Sequence, residues 1–233
     1  MKITLTGIDE KTDVKKLYAG IKPEWREWVE IALLFTVNQE GRNRYPSIEF
    51  IDTVLTSSLD YMAVHLCGKD TINRVLQGEF YTTLMNADRI QVNGKVSQEQ
   101  LEDFCEMFHD STIITQHVPY NYRLLGMDIK FAKEKLEPFP YQHSVLVDAS
   151  GGKGILPTEW VAPFDTKKLF GVAGGLGPHN LREQLKVIPK DCYWVDMETF
   201  IRHPDSDLFS IEKTIKCIEI VMEHNEQQWK ETK

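Results

Sequence analysis

The chain has 233 residues, 42% of them hydrophobic, and a formal net charge of −8, which suits one domain over residues 1–233 with a sizeable core. The acidic balance argues against a nucleic-acid-binding surface, and no apolar run reaches the roughly 18 residues that a membrane span needs. The N-terminus lacks a signal-peptide core, and four scattered cysteines without a C-x-x-C pair read as reduced thiols rather than a zinc site, so a cytoplasmic protein is expected.

Along the chain, apolar runs alternate with amphipathic stretches. Residues 3–6 read as a first strand closed by Gly7, and 13–19 as a helix with Thr12 or Asp13 as its cap. A second strand is expected over 30–37. The helix over 46–55 follows, with Ile48, Ile51 and Leu55 on one face. A third strand over 61–66 leads through Cys67-Gly68 to a helix over 70–84. The fourth strand is short, 89–92, ending at Asn93-Gly94. Ser97 opens a helix with Leu101, Phe104 and Phe108 inward, and Ser97 with Gln100 makes a capping box. Strand five spans 112–115 and a weaker helix 124–136. Strands six, seven and eight are expected at 145–147, 170–173 and 193–195. A helix over 211–222 closes the chain, with a polar tail after it.

Eight strand–helix alternations fit a (β/α)8 TIM barrel better than an open doubly wound sheet. The first glycine loop, Thr6-Gly7-Ile8, is no dinucleotide fingerprint. The barrel's catalytic face is the C-terminal end of its strands. There the stretch 144–177 delivers Asp148 at one strand end and Gly174-Gly175 at the next. Glycine after a strand lets backbone N–H groups approach an anion, and Pro178 suits the first turn of a helix that follows. Gly152 and Gly154 read as shaping a loop. Trp25, Trp28, Trp194 and Trp229 read as packing.

These residues resemble the phosphoribosylanthranilate isomerase family, a ribulose-phosphate-binding type of barrel. Thr4-Leu5-Thr6-Gly7-Ile8 stands where that family has K-I-C-G-I, and Arg44-Tyr45-Pro46-Ser47 where it has R-Y-[VI]-S. Ile90-Gln91-Val92-Asn93-Gly94 is similar to V-Q-L-H-G. Leu146-Val147-Asp148, with Gly151-Gly152-Lys153-Gly154 and Trp160, is similar to L-L-D…G-G-T-G…F-D-W. Ala173-Gly174-Gly175-Leu176-Gly177-Pro178-His179-Asn180 is similar to A-G-G-L-x-P-E-N, the most specific piece, and Val195-Asp196 to the V-D of V-D-V-S-S-G-V-E.

The resemblance implies an Amadori rearrangement of a phosphorylated substrate, in the setting of tryptophan biosynthesis, without a cofactor or metal, by a monomer or homodimer. It assigns Asp148 as the acid, Arg44 to the substrate carboxylate, and Gly174 and Gly175 to its phosphate; the alternatives are an Asp148 that caps the N–H groups of the next loop, Arg42 as the carboxylate contact, and glycines that serve turn geometry alone. Thr6 replaces the family's base cysteine, and a threonine hydroxyl needs a partner that takes its proton. Glu198-Thr199-Phe200 replaces the phosphate-binding S-S-G, leaving Thr199 as that segment's polar contact. Arg202 stands in place of the closing acid. A substitute base is sought among the polar strand ends: His65, Asn93, Gln116, His117, Asp196 and Glu198. Glu198 is the first choice because a carboxylate at a barrel mouth is readily tuned, the alternative being an ion pair with Arg202. His65 lies in Met62-Ala63-Val64-His65-Leu66, similar to the metal-binding H-L-M of pentose-phosphate epimerases, but the accompanying M-D-G is absent. A core histidine with its hydrogen bonds satisfied is then the expectation. The two other readings are a barrel enzyme for a different phosphorylated molecule and a non-catalytic ligand- or partner-binding barrel.

Overall fold

The computed structural model describes residues 1–38, 42–57, 59–117, 143–148, 150–160 and 168–231. Eight parallel strands close into a barrel in chain order, with the last paired to the first. They are β1 (Lys2–Thr6), β2 (Val29–Phe35), β3 (Met62–Cys67), β4 (Arg89–Asn93), β5 (Thr112–His117), β6 (His143–Asp148), β7 (Phe170–Ala173) and β8 (Trp194–Met197). Seven α-helices are described: α1 (Val14–Gly20), α2 (Ile48–Leu55), α3 (Lys69–Leu76), α4 (Tyr81–Leu84), α5 (Gln98–Met107), α6 (Leu181–Gln184) and α7 (Ile211–Glu231). The helix expected over 124–136 lies outside the described residues. No helix among those described is long and apolar enough to cross a membrane.

Local chemistry explains most boundaries. Asp13 caps α1 by accepting from Lys16 N, Ser47 caps α2 through Phe50 N, and Ser97 with Gln100 closes both halves of the capping box on α5. Three boundaries differ from the sequence reading. The helix expected over 70–84 is broken into α3 and α4, because Gly78 at φ +88° and Phe80 at φ +63° leave the helical region. Phe80 is held there by an edge-on contact with Phe35, ring centroids 4.9 Å apart. The tail after residue 222 is helical to Glu231, and Asn225 anchors it by accepting from the Met1 ammonium and donating to Met1 O. Pro178 precedes α6 instead of entering it: Asn180 holds the N-cap position, and its side chain reaches back to accept from Gly177 N at 3.0 Å, before the helix begins.

The main core lies between strands and helices, from Ile3 and Leu5 through Phe104 to Cys217 and Val221. A second cluster fills the barrel itself: Ile114, Leu146, Ala173 and Trp194. Trp194 is 1% exposed and Trp25 packs partly buried against the main core, as the packing reading expects, whereas Trp28 at 36% and Trp229 at 75% are exposed and correct it. A β-carbon on Gly171 would stand 2.1 Å from Trp194 Cε2, so that strand tolerates only glycine there. Arg89 lies over the same indole, 4.2 Å from the ring centroid, and pairs with Glu30 at 3.0 Å. Thr4 donates to Glu30 at 2.8 Å. Trp194 and this ion pair form a solid plug, and the functional groups sit above it.

Candidate active site

Strand register decides which side chains meet at the mouth. Thr6 ends β1, and Asp196 lies on β8 in register with Thr4 of the neighbouring strand. Both are buried, and Thr6 Oγ1 donates to Asp196 Oδ1 at 2.6 Å. The Thr6 hydroxyl is therefore bound to a carboxyl. Burial pushes the Asp196 carboxyl up to about 8. The Thr6 hydrogen bond opposes the shift, and the nearby Glu198, Glu30 and Asp148 charges add to it. Around neutrality Asp196 thus holds a proton it can give up and take back.

Asp148 ends β6 and is 4% exposed. Its Oδ1 accepts from Ser150 N at 2.9 Å and Ser150 Oγ at 2.8 Å. Its Oδ2 accepts from Gly152 N at 2.7 Å and Gln116 Nε2 at 2.8 Å. Four donors converge on two oxygens, the pattern of an acceptor-only carboxylate that shapes the loop after its strand.

Glu198 follows β8 and pairs with Arg44 at 2.7 Å, not with Arg202. Burial raises its carboxyl, while Arg44 and Arg202 oppose the shift. Arg44 also grips Asp207 with two nitrogens, Nε to Oδ2 at 2.9 Å and Nη2 to Oδ1 at 2.6 Å. Its fork is filled by two carboxylates of this chain, so it ties the β2 and β8 loops together. Arg202 is 2% exposed and donates to Gly7 O, Asp207 O and Asp9 Oδ2. Arg202→Met would leave the buried Asp9 without its counter-charge. A loss of roughly 3 kcal/mol, read as a lower urea midpoint at unchanged slope, is expected.

The loops after β6, β7 and β8 interlock. Gly174 has φ +132° and Gly175 φ +63°. A β-carbon on Gly175 would stand 2.4 Å from Leu156 N, so the chain after Asp148 lies directly on the paired glycines. Thr199 lies against Gly154, and Phe200 against Gly177. The N–H groups of Gly175 and Leu176 have no acceptor among the described residues.

A half-open cleft lies at this end of the barrel. Asp148, Gly174, Gly175, Asp196, Glu198 and Thr199 line it, joined by His65, Gln91, Asn93 and Gln116. Of the seven residues singled out from the sequence, five line the cleft directly. Thr6 reaches it through Asp196, and Arg44 through Glu198. His117 is buried elsewhere, sharing the Thr115 hydroxyl with His143. Asp196 was only one of six polar strand ends in the sequence, and no local signal distinguished it. Among the described residues, no cluster of His, Cys, Asp and Glu is arranged to hold a metal ion.

No protein-family model matches the sequence, and neither does any curated protein. Solved structures do match. The phosphoribosylanthranilate isomerase of Thermus thermophilus superposes with a TM-score of 0.66 at 16% identity, over 96% of this chain and 99% of its own. That of Thermotoga maritima gives 0.62 at 14% identity, over 94% of this chain and 98% of its own. A phosphoribosylanthranilate isomerase in complex with reduced 1-(o-carboxyphenylamino)-1-deoxyribulose 5-phosphate gives 0.62 at 15%, over 94% and 97%. What this chain shares with those isomerases is their barrel architecture, from the first strand to the closing helix.

Proposed function

We propose that the chain is an aldose–ketose isomerase of the phosphoribosylanthranilate isomerase type, working by acid–base proton transfer at the barrel mouth. The observation that carries this reading is the buried Thr6–Asp196 pair, with its carboxyl held near 8. In this reading Asp196 protonates the ring oxygen of the sugar and opens it. The carboxylate so formed removes the C2 proton, and the enol goes on to the ketone. Asp196 then takes over the acid role that the resemblance gave Asp148 and the base role considered for Thr6 and Glu198. Asp148 orients the loop that roofs the cleft, and Thr6 positions Asp196. The N–H groups at Gly175 and Leu176, after Gly174, hold the phosphate, with Thr199 beside them. Arg44 supports Glu198 from behind.

A specific observation favours a second reading of the ligand. Asp148 and Glu198 line the cleft beside Asp196, and none of the described lining residues is a lysine or arginine to offset those two carboxylates. A field of that sign favours an uncharged sugar over a phosphorylated one.

The test is consumption of phosphoribosylanthranilate fluorescence by the purified protein. No consumption at high enzyme concentration overturns the isomerase reading for that substrate, and a parallel assay with unphosphorylated aminopentoses decides the second. Thr6→Val provides a sharper check. Removing the hydroxyl takes away a hydrogen bond that favours ionised Asp196, so its pKa rises further. The alkaline fall of kcat/KM, expected near pH 8 in the parent protein, should move to higher pH. An unmoved fall excludes Asp196 as the titrating group.

A further inference from the structure

The isomerase reading leaves His65 without a task, and the cleft gives it an unusual setting. His65 comes from β3, is 1% exposed, and lines the cleft's inner wall. Its two ring nitrogens differ. Gln91 Nε2, which can only donate, lies 3.2 Å from His65 Nδ1, so Nδ1 accepts. The same amide donates to Asn93 Oδ1 at 2.8 Å, and Asn93 Nδ2 points to Cys67 Sγ at 3.7 Å, so the network runs in one direction. The ring proton therefore sits on Nε2, and Nε2 has no hydrogen-bond partner. A buried donor left unpaired is destabilising, so the position is held against a cost. The sequence reading of a satisfied core histidine is thus corrected by the geometry.

We propose that His65 is a catalytic hydrogen-bond donor: its neutral Nε2–H binds the C2 oxygen of a sugar ligand and stabilises the negative charge that grows there as the enol hydroxyl gives up its proton and the ketone forms. The ring stays neutral throughout, since burial, with Arg89 nearby, holds its pKa down to about 3. A neutral imidazole then polarises the oxygen without giving up its proton. The C2 proton goes to the carboxylate of Asp196, and the enol hydroxyl proton is lost to solvent as the ketone forms and C1 takes up a proton. Charge and atoms balance with no transfer through His65. The role assigned to the C2 oxygen rests on the isomerase reading; the donor site itself does not.

Nitrogen-15 NMR of the ring tests the site apart from turnover. His65 should show the Nε2–H tautomer and no titration between pH 5 and 8. Its Nε2 and attached proton should shift when the reduced 1-(o-carboxyphenylamino)-1-deoxyribulose 5-phosphate or unphosphorylated D-ribulose is added. Absence of a shift with both, whether or not they bind, overturns the inference; a shift without any turnover defeats only the isomerase reading. In a turnover assay, His65→Leu should lower kcat about a hundredfold with little change in KM. His65→Gln, which keeps an N–H at that reach, should recover about tenfold of it. The alkaline fall of kcat/KM should stay in place in both variants, and a fall that moves with His65 also overturns the inference.

Discussion

Asp196→Asn is expected to abolish isomerisation, lowering kcat/KM by at least about a thousandfold, while making the folded protein more stable at alkaline pH. The two effects have one cause. An amide keeps the size of the carboxyl and a polar contact with Thr6, but it can neither deliver nor remove a proton. The stability effect follows from linkage. The Asp196 carboxyl is raised from about 3.8 to about 8 in the folded chain, burial being the main cause. A raised carboxyl contributes its full stability below the unfolded pKa, and loses it as pH climbs through the folded one. The parent protein should thus weaken between about pH 4 and 8, at up to about 1.4 kcal/mol per pH unit, and level off above. Glu198 is also raised and shares the window. The asparagine variant should show a much shallower decline in urea midpoint across that range, and at pH 9 should unfold at higher urea than the parent. Equal slopes in both proteins would remove Asp196 from the centre of the site. Asp148→Asn separates the two aspartates. It disturbs the loop at Ser150 and Gly152, so it should raise KM more than it lowers kcat.

The contrast between the aspartates also marks how far the sequence could be read. The barrel was legible because each strand is a short apolar run that ends in a glycine or a polar residue, and the starts of α1, α2 and α5 carry capping side chains. Asp148 was legible in kind but not in task. Ser150 and Gly152, which turn it into a loop cap, stand two and four positions further on, so that local reading was within reach of the sequence. Asp196 was different. What raises its carboxyl, and so fits it to the proposed proton transfer, is burial together with the charge of Glu198, Glu30 and Asp148, which only barrel closure brings together beside Thr6. Arg44 misled for a similar reason: its two carboxylate partners lie on the far side of the chain, at Glu198 and Asp207. The orphaned nitrogen of His65 depends on the direction of the amides at Gln91 and Asn93, which spacing alone does not reveal.

The deepest long-range dependence is between Gly171 and Trp194, and it carries the second large expectation. Gly171 of β7 is in register with Trp194 of β8, and its α-hydrogen faces the indole. An alanine there would place its β-carbon 2.1, 2.3 and 2.4 Å from three indole atoms. Ordinary carbon contacts begin near 3.5 Å, so more than an ångström must be recovered. The indole cannot give way easily, since Ile114, Leu146 and Ala173 pack on it and Arg89 lies across its face. Moving the ring would also disturb the Arg89–Glu30 pair in the barrel interior. Gly171→Ala is therefore expected to cost about 3 kcal/mol or more, enough to threaten folding in a domain of ordinary stability. Trp194→Leu alone leaves a cavity and should cost about 3 kcal/mol. The double variant is the decisive one. With the indole gone, the added methyl fills part of the void, and the pair should be markedly more stable than the sum of the single losses implies. The coupling read from denaturant unfolding should exceed about 1 kcal/mol in the favourable direction. Additive losses would mean that the glycine serves the backbone of β7 rather than the ring. Because the ring supports the mouth from below, the double variant should also keep the alkaline fall of kcat/KM where the parent has it, even at reduced kcat.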